Sequence, residues 1–309
     1  MDIFIQQLLN GLILGSMYAL IAIGYTMVYG VLNLINFAHG DLLMIGAMVG
    51  WTVVQILEKV FPGIPGFVQL LTAISMSIFV CVLVSVIVER VAYRRLRNAP
   101  RLAPLITAIG VSILLQTFAM IIWGRNPLPF PQLLSSDSIE VFGALITPTQ
   151  IVLLIFSALG MLALAFLVQT TKIGRAMRAV AENSTAASLM GVNSNFIIVI
   201  TFAIGAILAG IAGVMWAANY ATVQFAMGFI PGIKAFSAAV LGGIGNIYGA
   251  MIGGILLGLI ESLGAGYVGD LTNGILGSHY QDIFAFLVLI LVLIIRPSGI
   301  MGEKLSDRS

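Results

Sequence analysis

Residues 3–40 read IFIQQLLNGLILGSMYALIAIGYTMVYGVLNLINFAHG, a run without one Asp, Glu, Lys or Arg. A helix needs about 20 residues to cross a hydrocarbon core of roughly 30 Å, and this run exceeds that length. Val60–Val88 and Leu102–Gly124 are equally free of charge. Backbone N–H and C=O groups find no water in lipid, so each run must satisfy them within itself, as a helix. A transmembrane barrel would alternate apolar and polar residues over segments of about ten, which these runs do not do. The whole chain agrees with its first segment: 60% of its 309 residues are apolar and 8% charged, against roughly 25% charged in a soluble domain. The sequence therefore predicts an all-α, polytopic bundle, one membrane domain over residues 1–309.

The first element is expected at about 8–30, passing through Gly24 and Gly30 into the polar stretch Asn33–Asp41. Further elements are expected up to about 57 and at about 68–89, 103–123, 150–169, 196–218 and 281–296. The Gly-rich stretch 233–266 reads as a broken element followed by a helix. This makes about eight membrane elements, broken or re-entrant pieces included. FPGIPG (61–66) is a short loop, and 124–149 is a longer one whose first part, GRNPLPFPQLLSSDSIEVFG, holds three prolines with Asp137 and Glu140. Cations orient the bundle: Arg90, Arg94, Arg95, Arg97 and Arg101; Lys172, Arg175 and Arg178; and Arg296, Lys304 and Arg308. These groups hold eleven of the 14 Lys and Arg residues, and short basic loops stay in the cytoplasm. The first cation is Lys59, so the N-terminus lacks the basic region of a cleaved signal and the first span is expected to be retained. The N-terminus keeps either side, because 8–41 reads as one crossing or as a crossing plus a re-entrant piece.

Several chemistries are not expected. Cys81 is the one cysteine, and it lies in an apolar run, which leaves no disulfide framework and no metal cluster. There is no G-x-x-x-x-G-K-[ST] segment and no Ser/His/Asp or paired-carboxylate constellation. The expectation is a non-catalytic chain with no cofactor, metal or nucleic acid of its own.

Four features exceed simple packing. GRAMRAVAENSTAASLMGVNSN (174–195) is too polar to span and rich in helix formers. Gly191 is placed to follow a helix end, and Ser194 or Asn195 to cap the next span. The segment is either a docking helix, with Ala186, Ala187 and Gly191 allowing close approach, or a surface helix with its arginines on anionic lipid. Asn33, Asn36, His39 and Asp41 either face a cavity or cap helices at the interface. Glycines 242, 243, 245, 249, 253, 254 and 258 form small-xxx-small faces, serving packing within the chain, a partner or gating; Gly243, Gly245 and Asn246 could line a path where a helix breaks. Lys234 is expected to snorkel to the outer interface, and Glu261, deeper in a helix, to be paired.

Thr185-Ala-Ala-Ser-Leu-Met-Gly191 resembles the EAA-xxx-G loop of ABC-importer permeases, with Thr185 in the glutamate's place. With ALIAIGYTMVYGVLNLINFAHGDLLMIGA (19–47) and KAFSAAVLGGIGNIYGAMIGGILLGLIESL (234–263), it makes the chain similar to bacterial branched-chain amino-acid permeases of the LivH type, over all but the outer loop 124–149. The resemblance implies a multi-pass protein of the bacterial inner membrane that translocates leucine, isoleucine or valine. It implies a second, related permease as heterodimer partner, two cytoplasmic ATPases that hold ATP and Mg, and a periplasmic amino-acid-binding protein. It also makes 174–191 the ATPase-coupling segment, with Arg175, Arg178, Glu182, Ala186, Ala187 and Gly191 in it and Glu182 a candidate for the missing glutamate's role. The competing readings are an ion-coupled secondary transporter using Asp41 or Glu261, a scaffold or channel subunit, and an ABC permease for urea, amides or other amino acids.

Overall fold

The first charge-free run folds as α1 (Asp2–Leu32), the helix around which the others assemble. The computed structural model describes residues 2–97, 99–100, 102–135, 137–141, 143–271 and 281–302; Arg101, Lys304 and Arg308 lie outside them. After α1 come α2 (His39–Val60), α3 (Gly66–Val88), α4 (Leu102–Trp123) and α5 (Pro148–Thr170). Two short helices, α6 (Lys172–Glu182) and α7 (Ser184–Leu189), lead to α8 (Ser194–Tyr220), α9 (Phe229–Gly242), α10 (Ile247–Leu271) and α11 (Gln281–Ile295). Seven of these helices are long and apolar enough to cross a membrane, and two shorter apolar ones, within α9 and α11, accompany them. The protein is a multi-pass helical membrane bundle. Strand structure among the described residues is confined to β1 (Leu128–Pro129) paired with β4 (Thr222–Val223), and β2 (Ile139–Val141) paired with β3 (Ala144–Ile146).

Glycines explain why α1 is central. A Cβ added to Gly15 would come within 2.7 Å of Ile255 Cα, one on Gly254 within 2.5 Å of Ala19 Cα, and one on Gly258 within 2.2 Å of Gly15 N. The backbones of α1 and α10 are thus in direct contact, as small residues permit in a membrane. The next faces of α10 serve α9: a Cβ on Gly253 would lie 2.1 Å from Ala238 O. The glycine stretch packs this chain against itself. Of an 18-residue stretch of α1, 89% is buried, against 17% for α4 and 22% for α5, which stand on the outside.

Between α2, α3 and α8, small polar side chains donate across helices. Ser77 reaches Gly46 O at 2.7 Å, Cys81 Leu42 O at 3.2 Å and Ser85 Phe202 O at 3.1 Å. Beyond Val88, α3 continues through a π-helical turn, Glu89–Tyr93, where buried Glu89 pairs with Arg97.

Local chemistry sets the helix ends. Thr147 and Gln150 form a reciprocal capping box with Pro148 at the first turn of α5. Thr171 caps α6. The expected single helix over 174–191 is two helices, because the Asn183 side chain accepts from Thr185 N and Ala186 N and starts a new one. The cap of α8 is Asn193, not Ser194 or Asn195; its side chain accepts from Phe196 N.

The basic groups gather at one end. Arg97 donates to Asn195 at 2.6 Å, which places the end of α3 beside the start of α8, and α6 lies near the ends of α1 and α5. The N-terminal end of α1 is opposite, since Gln6 bonds both backbone groups of Leu145 in β3. The ambiguity over 8–41 is thus resolved. α1 crosses once, and α2 starts inside the bundle with His39 against Gly24, about 12 Å short of the end of α1 at 1.5 Å per residue.

Candidate functional site

A cavity of about 720 Å³ opens at the cation-rich end. Its walls come from the end of α1 (Thr26, Gly30, then Asn33), the end of α5 (Gln169), the inner face of α6 (Met177, Arg178, Ala181) and the break between α9 and α10 (Gly245, Asn246, Tyr248). Asn33 ends α1 with φ +52°, a left-handed conformation that Asn tolerates better than most residues.

The break needs its glycines. Gly243 and Gly245 have φ +109° and +95°, where a side chain is strained. The last carbonyls of α9 would be orphans in a membrane, and the C-terminal segment supplies their donors: Ile300 N to Leu241 O and Met301 N to Gly242 O, both at 2.9 Å. Asn246 fastens this arrangement, donating to Met301 O at 3.0 Å while its Oδ1 accepts from Gly249 N at 3.0 Å in the first turn of α10. Gly243 itself is packed away, since a Cβ there would meet Gly302 N at 2.4 Å.

Of the polar patch, only Asn33 lines the cavity. Asn36 is buried and accepts from the Tyr93 hydroxyl at 2.6 Å, which ties the loop before α2 to the end of α3. His39 is a wedge at the α1/α2/α8 crossing. It fills the space left by Gly24, lies near Gly205 and meets the Tyr25 ring edge-on at 5.0 Å. Its Nε2 has no hydrogen-bond partner. Asp41 lies in the first turn of α2, where a helix favours negative charge, and accepts from Gln116 at 2.9 Å.

Glu261 is paired, and its partner is Lys234. Instead of snorkelling, Lys234 is 4% exposed and Glu261 1%, with Nζ to Oε1 at 2.6 Å. Asp282 Oδ1 is also 2.6 Å from Nζ, though not in hydrogen-bond alignment. The Tyr18 hydroxyl donates to Glu261 Oε2 at 3.0 Å, from 243 residues away. No sequence signal joins Tyr18 and Asp282 to this cluster.

The segment between α5 and α8 has two faces. Met177 and Val180 are buried, while Arg175, Arg178, Glu182 and Ala186 are exposed, Arg178 at the edge of the cavity. Ala187 is 5% exposed and turned into this chain, so it offers no surface. The exposed residues of α7's end are Leu189 and Met190, at 84% and 85%. Sequence reading passed over them, although two large apolar residues before a glycine in a polar stretch are a usable signal. Gly191 follows with φ +86°, and Val192 N→Ala187 O at 3.0 Å with Gly191 N→Ser188 O at 3.1 Å closes the turn in the Schellman pattern. Nothing lies within 4 Å of a Cβ built on Gly191, so glycine is required there by conformation alone.

Residues 7–293 match the family described as branched-chain amino acid transport system, permease component. The chain is 44% identical over 305 residues to the high-affinity branched-chain amino acid transport system permease protein BraD of Pseudomonas aeruginosa, covering 97% of this chain and 96% of that one. It is 44% identical over 313 residues to the corresponding permease protein LivH of Escherichia coli, with the same shares covered. The ribose import permease protein RbsC of Escherichia coli is 26% identical over 302 residues, 94% of this chain and 85% of that one. No solved structure matches.

Proposed function

We infer the function from one premise: this chain belongs to the branched-chain amino acid transport system permease family. It is a transport permease subunit of the inner membrane. Its cargo is leucine, isoleucine or valine, delivered by a periplasmic binding protein. A second, related permease completes the pathway, and two cytoplasmic ATPases, which hold the ATP and Mg, drive it. The likeness to a ribose permease marks how little the fold alone says of cargo, so the substrate reading leans on the 44% relatives. An ion-coupled carrier finds no support, because Asp41 and Glu261, the carboxylates it would use, are engaged with Gln116 and with Lys234.

One observation carries the coupling reading: Leu189 and Met190 project from the segment whose other face walls the cavity. An exposed apolar pair on a basic, water-facing segment is suited to a pocket on another protein. A push on α7 passes to Met177, Arg178 and Ala181, and so to the cavity. The docking residues are therefore Leu189 and Met190, with Ala187 and Gly191 shaping the turn that presents them.

The test is Leu189→Asp with Met190→Asp in the whole transporter. The permease should insert and pair normally, while ATPase co-purification and leucine uptake fall by about tenfold or more, as for loss of interface anchors. Normal uptake would overturn the docking assignment. A segment that merely lies on anionic lipid would keep ATPase co-purification under this change and would respond as strongly to Lys172→Gln with Arg175→Gln.

A further inference from the structure

We propose that the cavity at the α9–α10 break is a carboxylate-recognising site for the transported amino acid on the cytoplasmic side, and that its occupancy restrains the coupling segment. The proposal rests on the permease reading above. The cavity's size falls within the roughly 300–1,000 Å³ of ligand pockets. Among the described lining residues, Arg178 brings the one formal charge, and none of them is Asp or Glu. One guanidinium nitrogen donates to Val168 O, which holds the group at the wall with further N–H donors to offer.

Two further features favour an anion. The start of α10, at Asn246, Ile247 and Tyr248, opens on the cavity, and a helix N-terminus is positive. Thr26 lines the same space, is 1% exposed, and its hydroxyl has no partner. A buried unpaired hydroxyl is costly; it is closed off from the cavity in this conformation, and a change of rotamer would bring it onto a bound carboxylate. The other end of the ligand is provided for as well. α1 ends here, so its last carbonyls, negative by the same dipole, face an ammonium. Met27, Ala165, Val240 and Ile244 supply apolar wall for a branched side chain.

The ligand would bridge α6, through Arg178, to the start of α10. α6 leads into α7 and its exposed Leu189 and Met190, so a molecule holding α6 against α10 opposes the movement that the ATPases must drive. Accumulated product would therefore slow turnover from the cytoplasmic side.

The experiment uses the full complex of permeases and ATPases in lipid nanodiscs, without the binding protein. Labelled leucine should bind saturably. Isovalerate, which keeps the carboxylate, should compete, and isoamylamine, which keeps only the ammonium, should not. Leucine should lower ATP hydrolysis. Arg178→Gln should weaken leucine binding by roughly tenfold or more, as expected for a lost charge-assisted hydrogen bond. Thr26→Val should weaken it by a few-fold without lowering thermal stability, since the hydroxyl has no partner to lose. Absence of saturable leucine binding, equal competition by isoamylamine, or wild-type affinity in Arg178→Gln each overturns the site. Binding-protein-driven uptake is measured in parallel. Intact uptake without cytoplasmic binding sinks this proposal alone, and absent uptake sinks the permease reading and this proposal with it.

Discussion

Two polar groupings, one buried in the bundle and one at the mouth of the cavity, are built in opposite ways. Around Glu261, the partners are close: Lys234 stands between two carboxylates and the Tyr18 hydroxyl donates to Glu261, with glycine-packed backbones on either side. Around Arg178, the charge faces open space, Thr26 lacks a partner and nothing crowds Gly245. A charge deep in a bundle survives only when paired, so the first grouping is read as architecture. Polar groups left unmatched beside a cavity are read as a site awaiting a ligand. The same residue types, a cation with hydroxyl neighbours, thus carry opposite meanings according to what surrounds them.

The comparison predicts a graded response to substitution. The largest effect belongs to Gly258→Val, because its Cβ would lie 2.2 Å from Gly15 N and α1 could not rest on α10. Folded protein should be lost, as judged by monodisperse yield after extraction. A normally folded variant would break the claim that this crossing holds the bundle. Next comes Lys234→Met, which leaves Glu261 buried without its cation, at a cost of about 3–5 kcal/mol. The double variant Lys234→Met with Glu261→Met should recover most of the thermal stability, since a buried pair is often replaceable by apolar residues. If the single variant melted like wild type, the cluster would not be structural. The smallest effect is expected at the cavity. Gly245→Ala has open space but a positive φ, so it should cost about 1–2 kcal/mol of backbone strain. A loss of folding there as severe as at Gly258 would erase the distinction between the two regions.

Reading the sequence went astray where neighbours, not composition, decide. Snorkelling suits a lysine near a helix end with water in reach. Lys234 is near the start of α9, but that start lies inside the bundle, with Gly232 against Gly40. His39, Asn36 and Asp41 drew attention as polar residues in an apolar run, yet each is matched or enclosed by residues far away in sequence. Around the start of α8, Asn193, Ser194 and Asn195 are all able to cap, and spacing alone does not choose among them. Ala187 and Leu189 differ by only two positions, and the turn at Gly191 determines which of them faces outward.

By itself the sequence determined that this chain is a helical, multi-pass membrane protein, which end carries its cations, that a helix breaks in the glycine-rich stretch 233–266, and which family it resembles. Those properties follow from run length, charge placement and motif, all local quantities. Only the tertiary structure decided which faces meet, which carboxylate is paired, and which polar residues reach the cavity. The reason is that spans apolar all round carry little facial information. In lipid, helices are sorted by backbone approach at small residues and by hydrogen bonds between distant positions, and neither is legible until the helices are assembled.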